Sequence, residues 1–198
     1  FIKQGHDVMS CDLLPTDSPG PHYQGSVFDV INDGWDMMIA HPPCTYLAVS
    51  GNRWLYNKDK SRNEERWKNR EEGLDFVRAL MNAPIEKIAI ENPVSCISSE
   101  IRKPDQIIQP WQFGDEAQKT TCLWLKNLPN LKPTKIVGKG EFTTFKSGKR
   151  HPKWYADALA TAKTKAERQK LRSKTFQGIA DAMAEQWGAE KTTKQLEL

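Results

Sequence analysis

Two short apolar runs, each followed at once by polar or proline residues, constrain the fold of this chain most. The first is DMMIA at residues 36–40, and the second is EKIAI at residues 86–90. Continuous apolar runs of this length are typical of strands that are covered on both faces of a sheet. The intervening segment, about 57–82, has apolar residues near helical spacing, namely Trp67, Leu74, Val77, Leu80 and Met81. The pattern predicts a strand, helix, strand crossover, which joins parallel neighbours in an α/β domain.

The flanking segments extend this organisation. The first fifteen residues predict the end of a helix, a turn at Gly5 and a strand over about 7–11. A doubly wound α/β domain usually has a strand and a glycine-rich turn before such a helix, so we expect the natural N-terminus to be missing. TTCLWL predicts a strand over 121–125, and Ser173 is the expected N-cap of a last helix. The predicted fold is therefore a doubly wound, Rossmann-like α/β sheet with helices on both faces, in one domain over 1–198.

Composition limits the class of protein. With 198 residues, 38% of them hydrophobic and 27% charged, the chain has the make-up of an ordinary globular domain. No apolar run approaches the roughly 20 residues that cross a bilayer, and no secretory signal precedes the fold. We therefore expect no membrane partner and a cytoplasmic location. The net charge of +4 allows a polyanionic partner without requiring one.

The four cysteines do not indicate a metal site. Cys11, Cys44, Cys96 and Cys122 lie far apart, without a C-x-x-C pair or histidines at ligand spacing. Disulfides are not expected in a reducing cytosol. Each cysteine is therefore either part of the core or a reactive thiol.

Cys44 and Glu91 stand at corresponding positions after the two predicted strands. Cys44 follows Pro42 and Pro43 at the end of the first strand, and Glu91 follows the second strand directly. Ligands of open α/β sheets bind beyond the carboxyl ends of the strands, and neighbouring strands are about 5 Å apart. A thiol and a carboxyl group are thus predicted to share one pocket, with the two prolines fixing the backbone that aims Cys44.

That pair of groups has a specific chemical use. A thiolate adds to carbon 6 of a pyrimidine ring when a carboxyl group bonded to ring nitrogen 3 helps the ring to accept the charge. Carbon 5 then becomes nucleophilic enough to take a methyl group from a sulfonium donor. This chemistry requires no metal.

These residues carry a family resemblance. HPPCTYLAVSG resembles the Pro-Pro-Cys motif of the DNA cytosine-5 methyltransferases, and IENP resembles their Glu-Asn motif, as in a short phage or bacterial member. The resemblance implies Cys44 as the nucleophile and Glu91 as the base-binding acid. It also implies S-adenosyl-L-methionine as the cofactor and DNA as the partner. The remaining residues that it implies at the target base are Pro43, Asn92, Ser50 and Arg53.

Further motifs of the family match in part. GHDVMSCDLLP resembles the motif whose acid binds the ribose hydroxyls of the cofactor, a role that would fall on Asp12. Where the family places the next acid the chain has Ser26, and Asp29 is the nearby substitute. Pro42 is the third residue implied at the cofactor. The phenylalanine- and glycine-rich cofactor motif and a full target-recognition domain are not found in the chain.

Several segments allow two interpretations. In place of a recognition domain, residues 130–172 are predicted to form a basic loop or helical insertion. There, Trp154 and Tyr155 either stack on exposed bases or belong to a surface loop with a docked tryptophan. The basic run 163–174 is either a solvated helix face or a phosphate contact. Arg53 and Trp54 either belong to a loop that closes on a target base or begin the crossover helix.

Two other functions remain open from the sequence. The protein is either a methyltransferase of another substrate, such as a free pyrimidine nucleotide or an exocyclic amine, or a degenerate module that binds nucleic acid without catalysis. HPPC has the outline of the Pro-Pro-aromatic motif of amino-methyltransferases, with cysteine in the aromatic place. A protein partner is not indicated.

Overall fold

The computed structural model describes residues 1–173 and 175–189. They form a mixed α/β structure with several small sheets. The chain divides into two compact units. The first comprises Phe1–Ile107 and Thr121–Asn130, and the second comprises Ile108–Thr120 and the described part of Leu131–Leu198.

Eight strands and five α-helices form the described structure. The strands are β1 (Ser10–Asp12), β2 (His22–Gln24), β3 (Met37–Ala40), β4 (Lys87–Asn92), β5 (Gln106–Ile108), β6 (Thr121–Lys126), β7 (Phe142–Thr144) and β8 (Arg150–Pro152). The helices are α1 (Glu64–Met81), α2 (Ile97–Glu100), α3 (Lys153–Thr161), α4 (Lys165–Ser173) and α5 (Gln177–Gly188). Short 3₁₀ helices cover Ile2–Gln4, Val27–Asp29, Val49–Leu55 and Pro110–Gln112.

The main sheet confirms the predicted crossover. Its strand order is β3, β4, β6, β5. β3 and β4 are parallel neighbours joined through α1, whereas β6 runs antiparallel to β4. The sheet is therefore mixed. Its core combines apolar side chains of α1 with those of β4 and β6, including Leu74, Val77, Leu80, Ile88, Ile90 and Trp124.

The crossover helix begins later than its apolar pattern suggests. Asn63 caps α1 by accepting a hydrogen bond from the Arg66 amide at 3.1 Å, and two glutamates occupy the first turn, where they favour the helix dipole. The predicted helix from about residue 57 is thus too long. Lys60 has a positive φ of 69°, which is incompatible with a continuous α-helix through that residue.

The N-terminal strands form a sheet of their own. Gly5 has the left-handed φ of 81° that the predicted turn requires. The strand expected over 7–11 is β1, displaced toward the C-terminus, and it pairs in parallel with β2. Each of these two strands has only three residues.

In the second unit, β7 and β8 form an antiparallel hairpin within the segment 130–172, where a basic loop or helical insertion is predicted. The expected N-cap role of Ser173 is wrong, because Ser173 is the last residue of α4 and Phe176 precedes α5. The start of α5 depends instead on Gly178. Its amide donates to Asp115 Oδ2 at 2.9 Å, and a Cβ atom at this position would overlap the Phe113 carbonyl group.

Candidate active site

The register of β3 and β4 sets the geometry at the centre of the candidate site. Ala40 and Ile90 are the last aligned pair, so His41 and Glu91 follow at equivalent positions. His41 Nδ1 lies 3.2 Å from Glu91 Oε2. The histidine side chain is 46% exposed, whereas the glutamate side chain is 14% exposed. His41 is not among the site residues predicted from the sequence. Its position one residue beyond an apolar strand could have indicated it.

Asn92 joins the two strand ends in the interior. Its Nδ2 donates to the carbonyl oxygen of Pro42 at 2.9 Å, and both residues are buried. The Asn92 side chain is 1% exposed, and its Oδ1 has no hydrogen-bond partner. Asn92 therefore holds the first proline of the Pro-Pro-Cys segment rather than presenting its amide at the surface.

The turn after the prolines fixes the backbone of Cys44. The Cys44 carbonyl oxygen accepts hydrogen bonds from the amides of Leu47 at 3.1 Å and Ala48 at 2.9 Å. Leu47 is almost fully buried in the core beneath this turn. Pro43 and Cys44 are exposed. The main chain of the nucleophile candidate is thus held in place, although the residue is exposed.

Main-chain contacts join this turn to the segment that follows Glu91. The Val49 amide donates to the Val94 carbonyl at 3.1 Å, and the Cys96 amide donates to the Leu47 carbonyl at 2.9 Å. Ala48 and Ser95 form an antiparallel bridge between these two bonds. The segments carrying Cys44 and Glu91 therefore form one hydrogen-bonded assembly.

Arginine and aromatic side chains border the turn. Arg66 donates to the Thr45 carbonyl at 3.2 Å, and its guanidinium carbon lies 5.1 Å from the centre of the Tyr46 ring. Arg53 lies 4.3 Å from the centre of the Trp54 ring in the 3₁₀ helix Val49–Leu55. Ser50, Arg53 and Trp54 are all exposed. They lie in the segment between Cys44 and α1, outside the crossover helix itself.

Burial separates the other cysteines from Cys44. Burial raises the pKa of Cys96, although the nearby Arg70 guanidinium lowers it in part. Burial also raises the pKa of Cys122, and the Glu91 carboxylate raises it further. Cys122 lies on β6 opposite Asn92, with its side chain in the core. The thiols of Cys96 and Cys122 are therefore unreactive, because they are buried.

The acidic residues implied at the cofactor lie around Cys11. Asp12 Oδ1 accepts the Leu14 amide at 2.9 Å, and Asp29 Oδ2 accepts the Tyr23 hydroxyl at 3.1 Å. Burial raises the pKa of the Cys11 thiol, and the carboxylates of Asp12 and Asp29 raise it further. The structure thus brings both acids within electrostatic reach of one side chain at the ends of β1 and β2.

Ser26, which stands where an acid is expected, has a structural role. Its Oγ accepts the Phe28 amide at 3.3 Å and caps the 3₁₀ helix Val27–Asp29. Phe28 packs edge-on against Phe76 of α1, with ring centres 5.6 Å apart. Asp29 therefore sits on a segment that is anchored to the crossover helix.

The second unit contains the other predicted nucleic-acid contacts. Trp154 donates its indole N–H to the Gln118 carbonyl at 2.9 Å, and its ring packs edge-on against Phe176. The tryptophan is thus docked, but Trp154 and Tyr155 lie in α3 rather than in the surface loop that this interpretation expects. Tyr155 stacks on His151 with ring centres 5.2 Å apart, and Arg172 lies over the Tyr155 ring. The hairpin also exposes Lys146, Lys149 and Arg150.

The described ranges contain neither a metal-binding cluster nor a membrane-spanning helix. Residues 1–173 and 175–189 contain no cluster of histidine, cysteine, aspartate and glutamate that could hold a metal ion. Among the same residues, every helix is too short or too polar to cross a membrane.

Comparison of the chain with protein-family models, with curated proteins and with solved structures found no match.

Proposed function

We propose that the protein is an S-adenosyl-L-methionine-dependent methyltransferase that modifies carbon 5 of cytosine in DNA through a covalent adduct at Cys44. The observation that carries this proposal is the hydrogen-bonded assembly of the two strand ends. It joins the segment of an exposed cysteine to that of a largely shielded carboxyl group, and nucleophilic addition to a pyrimidine uses these two groups. The proposal includes a Rossmann-like, doubly wound arrangement for the catalytic domain.

The proposed chemistry uses the two side chains in turn. The Cys44 thiolate forms a bond to carbon 6, the electron pair of the 5,6 double bond moves into the ring, and nitrogen 3 takes a proton from Glu91. When bound, S-adenosyl-L-methionine would supply the methyl group for carbon 5 from its sulfonium sulfur and would leave as a neutral thioether. Loss of the carbon 5 proton to water restores the double bond, expels the thiolate and returns the nitrogen 3 proton to Glu91.

The acidic residues of the first unit fit the polar part of the proposed cofactor. A carboxylate accepts about four hydrogen bonds, so the single bond from Leu14 leaves Asp12 able to accept the two hydroxyls of a ribose. The Asp29 carboxylate accepts a hydrogen bond from the Tyr23 hydroxyl. Pro42 is buried, so its contribution would be to shape the wall between the cofactor and Cys44.

DNA is the proposed partner because each unit exposes cations beside aromatic rings. In the first unit these are Arg53 with Trp54, and the half-buried Arg66 lies against the exposed ring of Tyr46. In the second unit Arg150 lies 5.0 Å from the Phe142 ring centre. Cations neutralise phosphates, and exposed rings stack on bases that have left the helix. Pro43 and Ser50 are the proposed close neighbours of the target base.

DNA that carries 5-fluorocytosine tests the proposal directly. The fluorine cannot leave as a proton does, so the adduct with Cys44 should accumulate once methyl transfer has occurred. We expect a band of protein bound to DNA that resists denaturation, and Cys44→Ser should abolish it. Cys11→Ser is the matched control, because Cys11 lies at the other pair of strand ends, and it should retain the band.

Product analysis separates the alternatives. Labelled S-adenosyl-L-methionine would be offered with DNA, with RNA and with free cytidine nucleotides. Label on an exocyclic nitrogen would contradict the cytosine-5 assignment, and label on nucleotides alone would replace DNA as the substrate. DNA binding without transfer in either wild type or Cys44→Ser would favour the binding module, a possibility that the structural role of Ser26 supports.

A further inference from the structure

We infer that His41 is a positioning residue of the site and holds the proton that Glu91 presents to the target base. This inference rests on the function proposed above, but the contact on which it depends is a feature of the fold. The two residues follow the last aligned pair of β3 and β4, so the spacing of parallel strands brings their side chains together. The resulting distance from Nδ1 to Oε2 is 3.2 Å.

The difference in exposure between the His41 imidazole and the Glu91 carboxyl group indicates different roles for them. The imidazole is 46% exposed and can exchange a proton with water, whereas the carboxyl group is 14% exposed and faces the shielded side of the strand ends. The Cys122 thiol on β6 also lies within electrostatic reach of Glu91. A thiol carries no positive charge, whereas a protonated His41 brings one to the carboxylate.

The His41–Glu91 pair explains how the proposed mechanism has a proton for the target base at neutral pH. An ordinary glutamate has a pKa of about 4.3 and is ionised at neutral pH, whereas an ordinary histidine has a pKa of about 6.5. A coupled pair holds one shared proton to a higher pH than a lone carboxylate does. As the Cys44 sulfur bonds to carbon 6, this one proton moves from the imidazolium Nδ1 to the Glu91 carboxylate and on to nitrogen 3, which leaves a neutral imidazole and a carboxylate. Elimination of the thiolate returns the proton by the same path, so the pair ends as it began.

Nitrogen NMR of the imidazole rings tests the contact without requiring activity. The chain has four histidines, and the His41 signals would be assigned from their loss in His41→Asn. Glu91→Gln removes the carboxylate and should shift the Nδ1 resonance of His41 at a fixed pH, because Nδ1 loses its charged partner at 3.2 Å. His22 is an internal control, because its Nδ1 pairs with the Ser10 hydroxyl rather than with an acid. An unchanged Nδ1 resonance of His41 in Glu91→Gln would overturn the pairing.

The pH dependence of adduct formation tests the role. His41→Asn keeps an N–H group near the Nδ1 position but cannot hold a titratable proton. We expect its 5-fluorocytosine adduct rate to fall with rising pH at least about one pH unit earlier than in wild type. His22→Asn should keep the wild-type profile. A wild-type profile in His41→Asn would reduce His41 to a structural residue and overturn the inference.

The two experiments also separate this inference from the proposed function. Suppose that wild type forms no adduct and transfers no methyl group, while the NMR signal of His41 still changes in Glu91→Gln. The proposed function then fails, and the His41–Glu91 contact remains. If wild type reacts and His41→Asn keeps its pH profile, the proposed function stands and the inference fails.

Discussion

The two parallel strand pairs of the first unit carry the two parts of the candidate site and hold them differently. At the ends of β3 and β4, buried Asn92 and Leu47 and a set of main-chain bonds fix the segments around Cys44 and Glu91. At the ends of β1 and β2, two three-residue strands present exposed carboxylates on local hydrogen bonds. If the proposed function holds, the difference indicates that the proposed reactive centre is formed before substrate binds, whereas the proposed cofactor region can adjust to its ligand.

Thiol alkylation should show the largest contrast between these regions. In the folded protein we expect Cys44 to react at least about a hundred times faster than Cys122, because only an exposed thiolate is accessible to the reagent. Cys11 should lie between them, since its pKa is raised and its thiolate therefore appears only at higher pH. Mass spectrometry of samples quenched over time gives the order.

The same measurement tests the cause of the Cys11 shift. Removing a nearby negative charge in Asp12→Asn or Asp29→Asn should speed Cys11 alkylation at a fixed pH and leave Cys44 unchanged. Slower alkylation of Cys11 in both variants would contradict the predicted electrostatic effect of the two acids.

Loss of the buried amide should have the next largest effect. Asn92→Ala leaves the Pro42 carbonyl without its 2.9 Å donor in the interior and should lower the free energy of unfolding by about 2 kcal/mol. The control is Gln24→Ala, which removes an exposed side-chain bond from β2 and should cost less than about 0.5 kcal/mol. Urea denaturation measures both. Equal losses would show that the two strand ends are held equally firmly.

The helix caps should give the smallest effects. Asn63→Ala removes the N-cap of α1 and should cost about 1 kcal/mol, whereas Ser26→Ala removes the cap of a three-residue 3₁₀ helix and should cost a few tenths. Thermal unfolding of the two variants provides the comparison. A larger loss for Ser26→Ala would mean that the acidic region is more tightly coupled to the fold than its exposure indicates.

The sequence predicted the elements that depend on local pattern. DMMIA and EKIAI became β3 and β4 because strands buried on both faces are apolar throughout. The direction of β6 could not be predicted, since an apolar run does not indicate whether its strand lies parallel or antiparallel to a neighbour. His41 was missed for a related reason: its contact with Glu91 depends on the register of two strands fifty residues apart, and the apolar pattern does not fix that register.

The support beneath Cys44 has a further consequence. The turn is fixed through the carbonyl oxygen of residue 44 and the buried side chain of Leu47, and neither contact uses the thiol. Serine or alanine at residue 44 would accept the same main-chain hydrogen bonds through its carbonyl oxygen. These two supports of the turn would persist in a descendant that lost the sulfur, so natural selection for them alone would not preserve a cysteine there.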